Sequence, residues 1–296
     1  MKTHEVARRS VHSVSMKRWM LFIAALAVGS NHCGNDKLPK YSVLDRLRVV
    51  ALIADHPEVA PGGSVTISPW VSDIKGAGRA LTYAVEACLD PGIGSGALPS
   101  CDGSATRVVL AQNASVTGIS APEYTGIAPT FTVVTPAAQI IFLKRADTEQ
   151  YNGVAYLVTY TVSSSDGQKD RAFRRIVVST RPFQNVNPVL SRILASGEEL
   201  TTALPPANVS ISPDVTTTSP EDYQVKDSNG VLQSRKEQIT TSWLASDGAL
   251  NRSRTVSPDL NDYTPPTAKP AGRGVILIGV TRDDRGGESV KKLVLN

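Results

Sequence analysis

An internal repeat constrains this fold more than any other feature of the sequence. Residues 48–69 align with residues 192–213 without a gap, and the stretch 65–69, VTISP, falls on the stretch 209–213, VSISP. Further along, Tyr83 corresponds to Trp243, and each unit ends in a strand, a polar turn and a strand. Since three segments match in the same order, the chain is predicted to contain two copies of one structural unit.

Each unit is built from short runs of Val, Ile, Thr and Tyr that are separated by Pro, Gly and Asp-Gly. In 154–162 the apolar residues alternate, which places Val154, Tyr156, Val158, Tyr160 and Val162 on one face of a strand. That face is predicted to line a core. Beyond the leader no window of helical length shows convincing 3.6-residue periodicity. The pattern therefore predicts an all-β fold of two tandem antiparallel β-sandwich domains after an N-terminal signal peptide.

The repeat also predicts the domain boundaries, with a first domain at 44–182 and a second at 187–296. The first unit is the longer, because it contains an insertion at about 89–135 that begins at a cysteine loop and is rich in Thr, Ser and Pro. Insertions on a regular scaffold often form binding surfaces, and they also accumulate neutral change. Both explanations stay open.

The N-terminus has the pattern of a signal peptide. Lys17 and Arg18 precede an apolar run, Trp19–Gly29, and Cys33 follows. The run is shorter than the ~20 apolar residues of a membrane-spanning helix, so residues 1–32 are predicted to be a signal peptide, with Met16 as an alternative start. Residues 33–43 would then form an anchor and stalk.

Cys33 is predicted to be the lipidation site, because the leader is similar to bacterial lipoprotein signals. Ser30 and His32 depart from that pattern, which usually has an aliphatic residue three before the cysteine and a small residue directly before it. The alternative is cleavage after Ala27 or Gly29 by ordinary signal peptidase, which would leave a soluble periplasmic or secreted protein.

The other two cysteines, Cys88 and Cys101, flank a Gly- and Pro-rich loop. In an exported chain they are predicted to form a disulfide, which would contribute roughly 3 kcal/mol by restricting the unfolded chain. Lipidation of Cys33 accounts for the odd cysteine. His56 is the one histidine after the leader, so neither a metal site nor a cofactor is expected.

Charge argues against a nucleic-acid partner. The whole chain has 31 Lys/Arg and 27 Asp/Glu, and residues 1–32 hold five and one of these, so the remainder is formally neutral. Nucleic-acid binding depends on neutralised phosphates and needs a basic footprint. The densest basic stretch, Arg171, Arg174, Arg175 and Arg181, is interpreted as a solvated strand face.

Catalysis is not expected, because a Ser-His-Asp or Cys-His arrangement would depend on His56 alone. Paired carboxylates could still serve a hydrolase, the candidates being Asp283 with Asp284, Glu198 with Glu199, and Glu221 with Asp222. Trp243 is predicted to be a core residue. Trp70, after Pro69 at a strand end, is a candidate ligand-binding residue that could stack on a sugar ring.

Several motifs together resemble predicted lipoproteins of predatory and social proteobacteria. They are the lipoprotein-like start, 47–49 leading to 57–63 (PEVAPGG), the cysteine pair, 243–248 (WLASDG) and 282–287 (RDDRGG). The resemblance implies tandem immunoglobulin-like or cadherin-like domains. Gly34 stands where an aspartate often signals inner-membrane retention, so the resemblance favours the outer membrane.

These observations predict a non-enzymatic outer-membrane lipoprotein. It would be a binding or structural module that holds an envelope protein or glycan near the membrane through its lipid anchor, either in adhesion or as an accessory subunit of an envelope machine. The alternative is a carbohydrate-binding module that uses exposed aromatic side chains. An envelope hydrolase with a carboxylate site is the third candidate.

Overall fold

Strand β8 (Val154–Ser164) shows how the alternating pattern builds the first sandwich. Tyr156, Val158, Tyr160 and Val162 lie in one hydrophobic core, as predicted. Leu157, on the opposite face, packs against the Cys88–Cys101 disulfide. The computed structural model describes residues 41–92, 98–216 and 218–296. The leader and Cys33 lie outside the described residues.

Within the described residues, the first sandwich has nine strands. They are β1 (Arg48–Ala54), β2 (Glu58–Val59), β3 (Ser64–Ser72), β4 (Leu81–Leu89), β5 (Val108–Ser115), β6 (Thr125–Ile127), β7 (Phe131–Val134), β8 and β9 (Lys169–Val178). One sheet has the order β1-β3-β6 with β7 also on β3, and the other has the order β2-β9-β8-β4-β5. Only the short β2–β9 pair in these sheets is parallel. Strands from the predicted insertion, 89–135, thus extend both sheets.

The second sandwich consists of eleven strands. They are β10 (Leu190–Ala195), β11 (Glu198–Glu199), β12 (Val209–Val215), β13 (Asp222–Lys226), β14 (Leu232–Lys236), β15 (Thr240–Ala245), β16 (Ala249–Leu250), β17 (Arg254–Val256), β18 (Asn261–Thr264), β19 (Val275–Arg282) and β20 (Glu288–Leu295). Its sheets have the orders β11-β10-β12-β18-β16 and β17-β15-β19-β20, and β13 and β14 form a separate hairpin.

The repeat is visible in the strand order. In the first sandwich β9, β8 and β4 are neighbours in that order, and in the second β20, β19 and β15 are their counterparts. Ile67 on β3 and its counterpart Ile211 on β12 are both fully buried in their own cores. The predicted fold class, two tandem antiparallel β-sandwiches, is therefore confirmed.

Strand β19 is apolar along most of its length because both of its faces are buried. Val275 and Leu277 point into the core of the second sandwich. Ile276 and Ile278, on the other face, belong to a separate apolar cluster that also contains Val50 and Ala51 of β1. This cluster joins the two sandwiches, and Tyr41–Asn296 accordingly form one compact unit.

The first described residues of the chain contact the second sandwich before they enter the first. The backbone N–H of Leu44 donates to the carbonyl of Ala245 at 2.9 Å, and the N–H of Ala245 donates to the carbonyl of Ser42 at 2.8 Å. Four residues after Leu44 the chain begins β1 of the first sandwich. The N-terminal segment therefore lies at the junction of both sandwiches.

Two short helices, α1 (Ala138–Ile141) and α2 (Asp147–Asn152), precede β8. Asn152 at the end of α2 connects the sandwiches, because its side-chain amide donates to the carbonyl of Lys226 at 2.7 Å and its oxygen accepts from the N–H of Lys226 at 2.8 Å. This pair of bonds resembles a strand pairing and fixes the β13–β14 hairpin against the first sandwich.

Candidate binding cleft

A cleft of about 680 Å³ opens at the junction of the two sandwiches. The first sandwich contributes the segment 41–50 and the start of β9, and the second contributes parts of β15, β17 and β19. Tyr41, the first described residue, is at its edge. The cleft therefore exists only because the two units pack against each other.

Six cationic side chains line this cleft, and we call it the cation-lined cleft. They are Arg46, Arg48, Lys169, Arg171, Arg254 and Arg282. Among the described residues that line it, Asp170 is the only carboxylate. Since the chain after the leader is formally neutral, this concentration of positive charge is local, and it is suited to an anionic ligand.

The inner part of the cleft is held by hydrogen bonds. Asp170 Oδ2 accepts from the backbone N–H of Val49 at 2.7 Å, which fixes the start of β9 to β1. Arg48 Nη1 donates to the carbonyl of Tyr41 at 2.8 Å. Burial lowers the pKa of Arg48, and the neighbouring charge of Arg46 lowers it further. The positive charges of Arg46 and Arg48 therefore lie close together in the cleft.

Two further arginines of the cleft are held in place by hydrogen bonds and an ion pair. Arg282 pairs with the buried Glu288 and donates to Ser242 Oγ at 3.1 Å. Arg171 Nη2 donates to the carbonyl of Pro99 at 3.3 Å. Pro99 belongs to the cysteine loop, so the loop helps to orient a side chain of the cleft.

The predicted disulfide between Cys88 and Cys101 is formed, and both cysteines are fully buried. Cys88 on β4 is paired in register with Leu157 on β8, and the two cysteines cover Leu157 on the face of the sheet opposite the core. The disulfide thus covers Leu157, which explains why β8 is buried on both faces at that position.

The two tryptophans occupy different environments. Trp243 is 1 % exposed in the second core, and its indole Nε1 donates to Thr255 Oγ1 at 2.9 Å. Trp70 is half-buried on β3 and packs against the apolar cluster between the sandwiches. The candidate ligand-binding residue therefore has much of its ring in contact with protein.

A second charged group lies between the sandwiches, and we call it the junction cluster. It consists of Glu58, Arg181, Glu221, Glu237, Asp283 and Arg285. Arg285 Nη2 donates to Glu58 Oε2 at 2.9 Å, and Arg285 Nη1 donates to Glu237 Oε1 at 3.2 Å. Since β2 supplies Glu58 and the second sandwich supplies Arg285, the cluster connects the two units.

Burial raises the pKa of several carboxyls in this cluster. The pKa of Glu237 is raised to about 7 by desolvation, with Asp283 and Glu221 adding to the shift. Desolvation also raises the pKa of Asp283, whose Oδ1 accepts from the N–H of Gly287 at 2.6 Å and of Arg285 at 2.9 Å. These carboxyls are held in a network whose visible role is to join the sandwiches.

The remaining candidate catalytic residues lie apart from the cleft. Of the proposed carboxylate pairs, Glu198 and Glu199 are exposed on β11. Asp283 and Glu221 belong to the junction cluster. Asp283 accepts hydrogen bonds from backbone N–H groups, and Glu221 accepts one from Arg285. His56 is an exposed loop residue whose Nδ1 lies 3.2 Å from Asp55 Oδ1.

In the part of the chain that the structure describes, no three His, Cys, Asp or Glu side chains are arranged to hold a metal ion. Among the same residues, no helix has the length and apolar character needed to cross a membrane.

Sequence reasoning did not identify the cleft, and its interpretation of the basic stretch was partly wrong. Arg174 is buried, pairing with Glu288 of the second sandwich at 3.3 Å. Arg181 is also buried, and it pairs with Glu58. Arg171 alone of the four lines the cleft. The cleft residues are scattered along the chain, so no local density of charge marks them.

Comparisons with known proteins give little further information. No family model and no curated protein matches this chain. Among solved structures, it is similar to dimeric latent PorU from Porphyromonas gingivalis, at 11% identity and a TM-score of 0.26, over 85% of this chain and 20% of that chain. It is also similar to the D0-D1 domain of Intimin, at 12% identity and a TM-score of 0.22, over 83% of this chain and 98% of that chain. The chain thus spans about a fifth of the PorU chain, and both similarities are too slight to support an argument.

Proposed function

We propose that this protein is a non-enzymatic lipoprotein of the outer membrane, in which Cys33 carries the lipid and the double sandwich serves as a binding or scaffolding module. It would hold a partner near the membrane, in adhesion or as an accessory subunit of an envelope machine. The resemblance to lipoproteins of predatory and social proteobacteria supports the same proposal.

The observation that carries the proposal is the placement of the N-terminal segment. Ser42 and Leu44 are hydrogen-bonded to Ala245 of the second sandwich, directly before the chain enters β1 of the first. A tether at Cys33 would therefore hold both units at once. Since the junction cluster and the apolar cluster join the units, the whole module would be presented as one body.

The chemistry of the candidate catalytic residues supports a binding role over hydrolysis. A general acid and base need access to a substrate. Glu237 and Asp283 have raised pKa values, yet their oxygens accept hydrogen bonds from Arg285 and from backbone N–H groups within the junction. Their positions are those of structural groups.

The proposal is tested by the intact mass of the native protein extracted from its own membrane fraction, with and without reductant. We expect a chain that begins at Cys33, with a diacyl or triacyl lipid attached, and a small gain in mass when the disulfide is reduced. An unlipidated chain that begins at Val28 or Ser30 would show that the protein is not tethered, and the proposal would be wrong.

A further inference from the structure

We infer that the cation-lined cleft binds the phosphate-bearing headgroups of the membrane surface to which the chain is tethered. This inference deepens the proposed function and rests on it for the position of the membrane. It is carried by the charge of the cleft, by its location beside the tether and by its size.

Three exposed cations give the cleft its uncompensated positive charge. Arg46, Lys169 and Arg254 line the cleft from three separate segments, and within the described residues none of them has a carboxylate partner. Several exposed arginines elsewhere are paired, as Arg145 is with Glu149 and Arg192 is with Asp214. Like charges gathered without partners repel one another, so an anion that enters the cleft relieves this repulsion.

The location argument starts from Tyr41, which lines the cleft. Residues 34–40 separate it from the predicted anchor, and a fully extended segment of that length reaches about 25 Å. The cleft would therefore lie within that distance of the bilayer. Basic residues close to an anionic membrane surface are attracted to it, and a basic patch strengthens anchoring by a lipid chain.

The size of the cleft fits a headgroup. Its volume of about 680 Å³ is within the range of small-molecule sites. Leu47 and Val50 also line it. A phosphodiester that enters the cleft can accept bidentate hydrogen bonds from the guanidinium groups that line it.

The test uses the mature chain, residues 33–296, in which Cys33→Ser prevents attachment of a lipid. The chain is exported behind a cleavable leader so that the disulfide forms. It is mixed with vesicles of phosphatidylcholine alone, or of phosphatidylcholine with phosphatidylglycerol, and sedimented. We expect binding to the mixed vesicles only, with a loss at high salt.

The decisive variant is Arg46→Glu with Arg254→Glu, which should reduce the bound fraction at least about tenfold. Both side chains are exposed, so thermal unfolding should be unchanged. The matched control is Lys144→Glu with Lys269→Glu, which makes the same change in net charge at exposed positions outside the cleft and should keep binding.

Three results would overturn the inference: no binding to the mixed vesicles, an equal loss in both double variants, or binding of inorganic phosphate or a soluble acidic polysaccharide without binding of vesicles. Because the chain in this assay carries no lipid, its result is independent of the mass that tests the anchor. A protein whose cleft does not bind headgroups can therefore be distinguished from a protein that is not lipidated at Cys33.

Discussion

Glu237 shows how a single buried residue can make the stability of this protein depend on pH. Its side chain is 1% exposed, and its carboxylate contacts Arg285 and the backbone N–H of Glu221. The neighbouring charges of Asp283 and Glu221 also act on it. A carboxyl whose folded pKa is raised keeps its proton in the folded state after the unfolded chain has lost it.

We therefore expect the free energy of unfolding to fall as the pH rises from about 4.5, the ordinary pKa of Glu, to about 7, where Glu237 ionises in the folded protein. The loss from Glu237 would be about 3 to 4 kcal/mol at most over that window, because one pKa unit corresponds to about 1.4 kcal/mol. Urea unfolding at a series of pH values measures it. Above the folded pKa this contribution should become constant.

Glu237→Gln provides the matched variant, since the amide is neutral at every pH. It should raise stability at pH 8 and flatten the dependence between pH 5 and 7. Glu198→Gln, at an exposed position, should leave the profile unchanged. A wild-type stability that increases across this window would contradict the assignment.

Other residues show what sequence reasoning could and could not reach. The alternation in β8 was predicted correctly, because the period of a strand is written in the local sequence. The burial of Arg174 was missed, because it depends on Glu288, which follows it by 114 residues in a different sandwich. Trp70, the candidate ligand-binding residue, is half-buried because it packs against the apolar cluster between the sandwiches. This contact is also a tertiary one that the local sequence does not indicate.

At the scale of elements, the disulfide between Cys88 and Cys101 covers Leu157 on the face of the sheet opposite the core. Cys88 and Cys101 are separated by 13 residues in sequence, and both are fully buried. A disulfide that closes a loop of this length stabilises the folded protein by roughly 3 kcal/mol, because it restricts the unfolded chain.

The double variant Cys88→Ala with Cys101→Ala should therefore lose about 3 kcal/mol in urea unfolding. Reduction of the wild-type disulfide should give a similar loss. The control is Cys33→Ser, which removes the third cysteine and should leave the stability unchanged. If reduction had no effect on unfolding, the loop would not be contributing to stability.

The disulfide could be predicted from the hypothesis that the chain is exported and that Cys33 carries a lipid, since this leaves two of the three cysteines to pair. The repeat predicted the counterpart strands β4 and β15 equally well. The role of the β13–β14 hairpin could not be predicted. Its contact with Asn152 is a tertiary one, and nothing in the local sequence of the hairpin indicates it.

At the scale of the whole molecule, the two sandwiches are joined by apolar and charged contacts together. Ile278 of β19 packs in the same cluster as Val50 of β1. Arg174 of β9 pairs with Glu288 of β20. We therefore expect the wild-type protein to unfold in a single cooperative transition.

Arg174→Met should cost about 3 kcal/mol, because removing one partner of a buried ion pair leaves the other without its compensation. In this variant Glu288 would stay buried, and Arg282 would be its one remaining ion-pair partner among the described residues. The matched control is Arg175→Met on the same strand, whose partner Asp90 lies outside the junction and which should cost no more than about 1 kcal/mol.

The measurement is urea unfolding followed by the fluorescence of tryptophan and by circular dichroism. Coincident curves in the wild type and separated curves in Arg174→Met would show that the pair couples the sandwiches. Equal losses in the two variants would indicate that the ion pair does not join them.

The two hydrogen bonds at Ala245 also determine how the molecule would respond to being pulled. Tension applied through residues 33–41 reaches Ser42 and Leu44 before it reaches any strand of either core. The bond from Arg48 Nη1 to the carbonyl of Tyr41 and these two bonds would yield before the strands, which would lengthen the tether by a few residues while both cores stay folded. If the module is tethered at Cys33, a sudden force would therefore extend the N-terminal segment before it unfolds either sandwich.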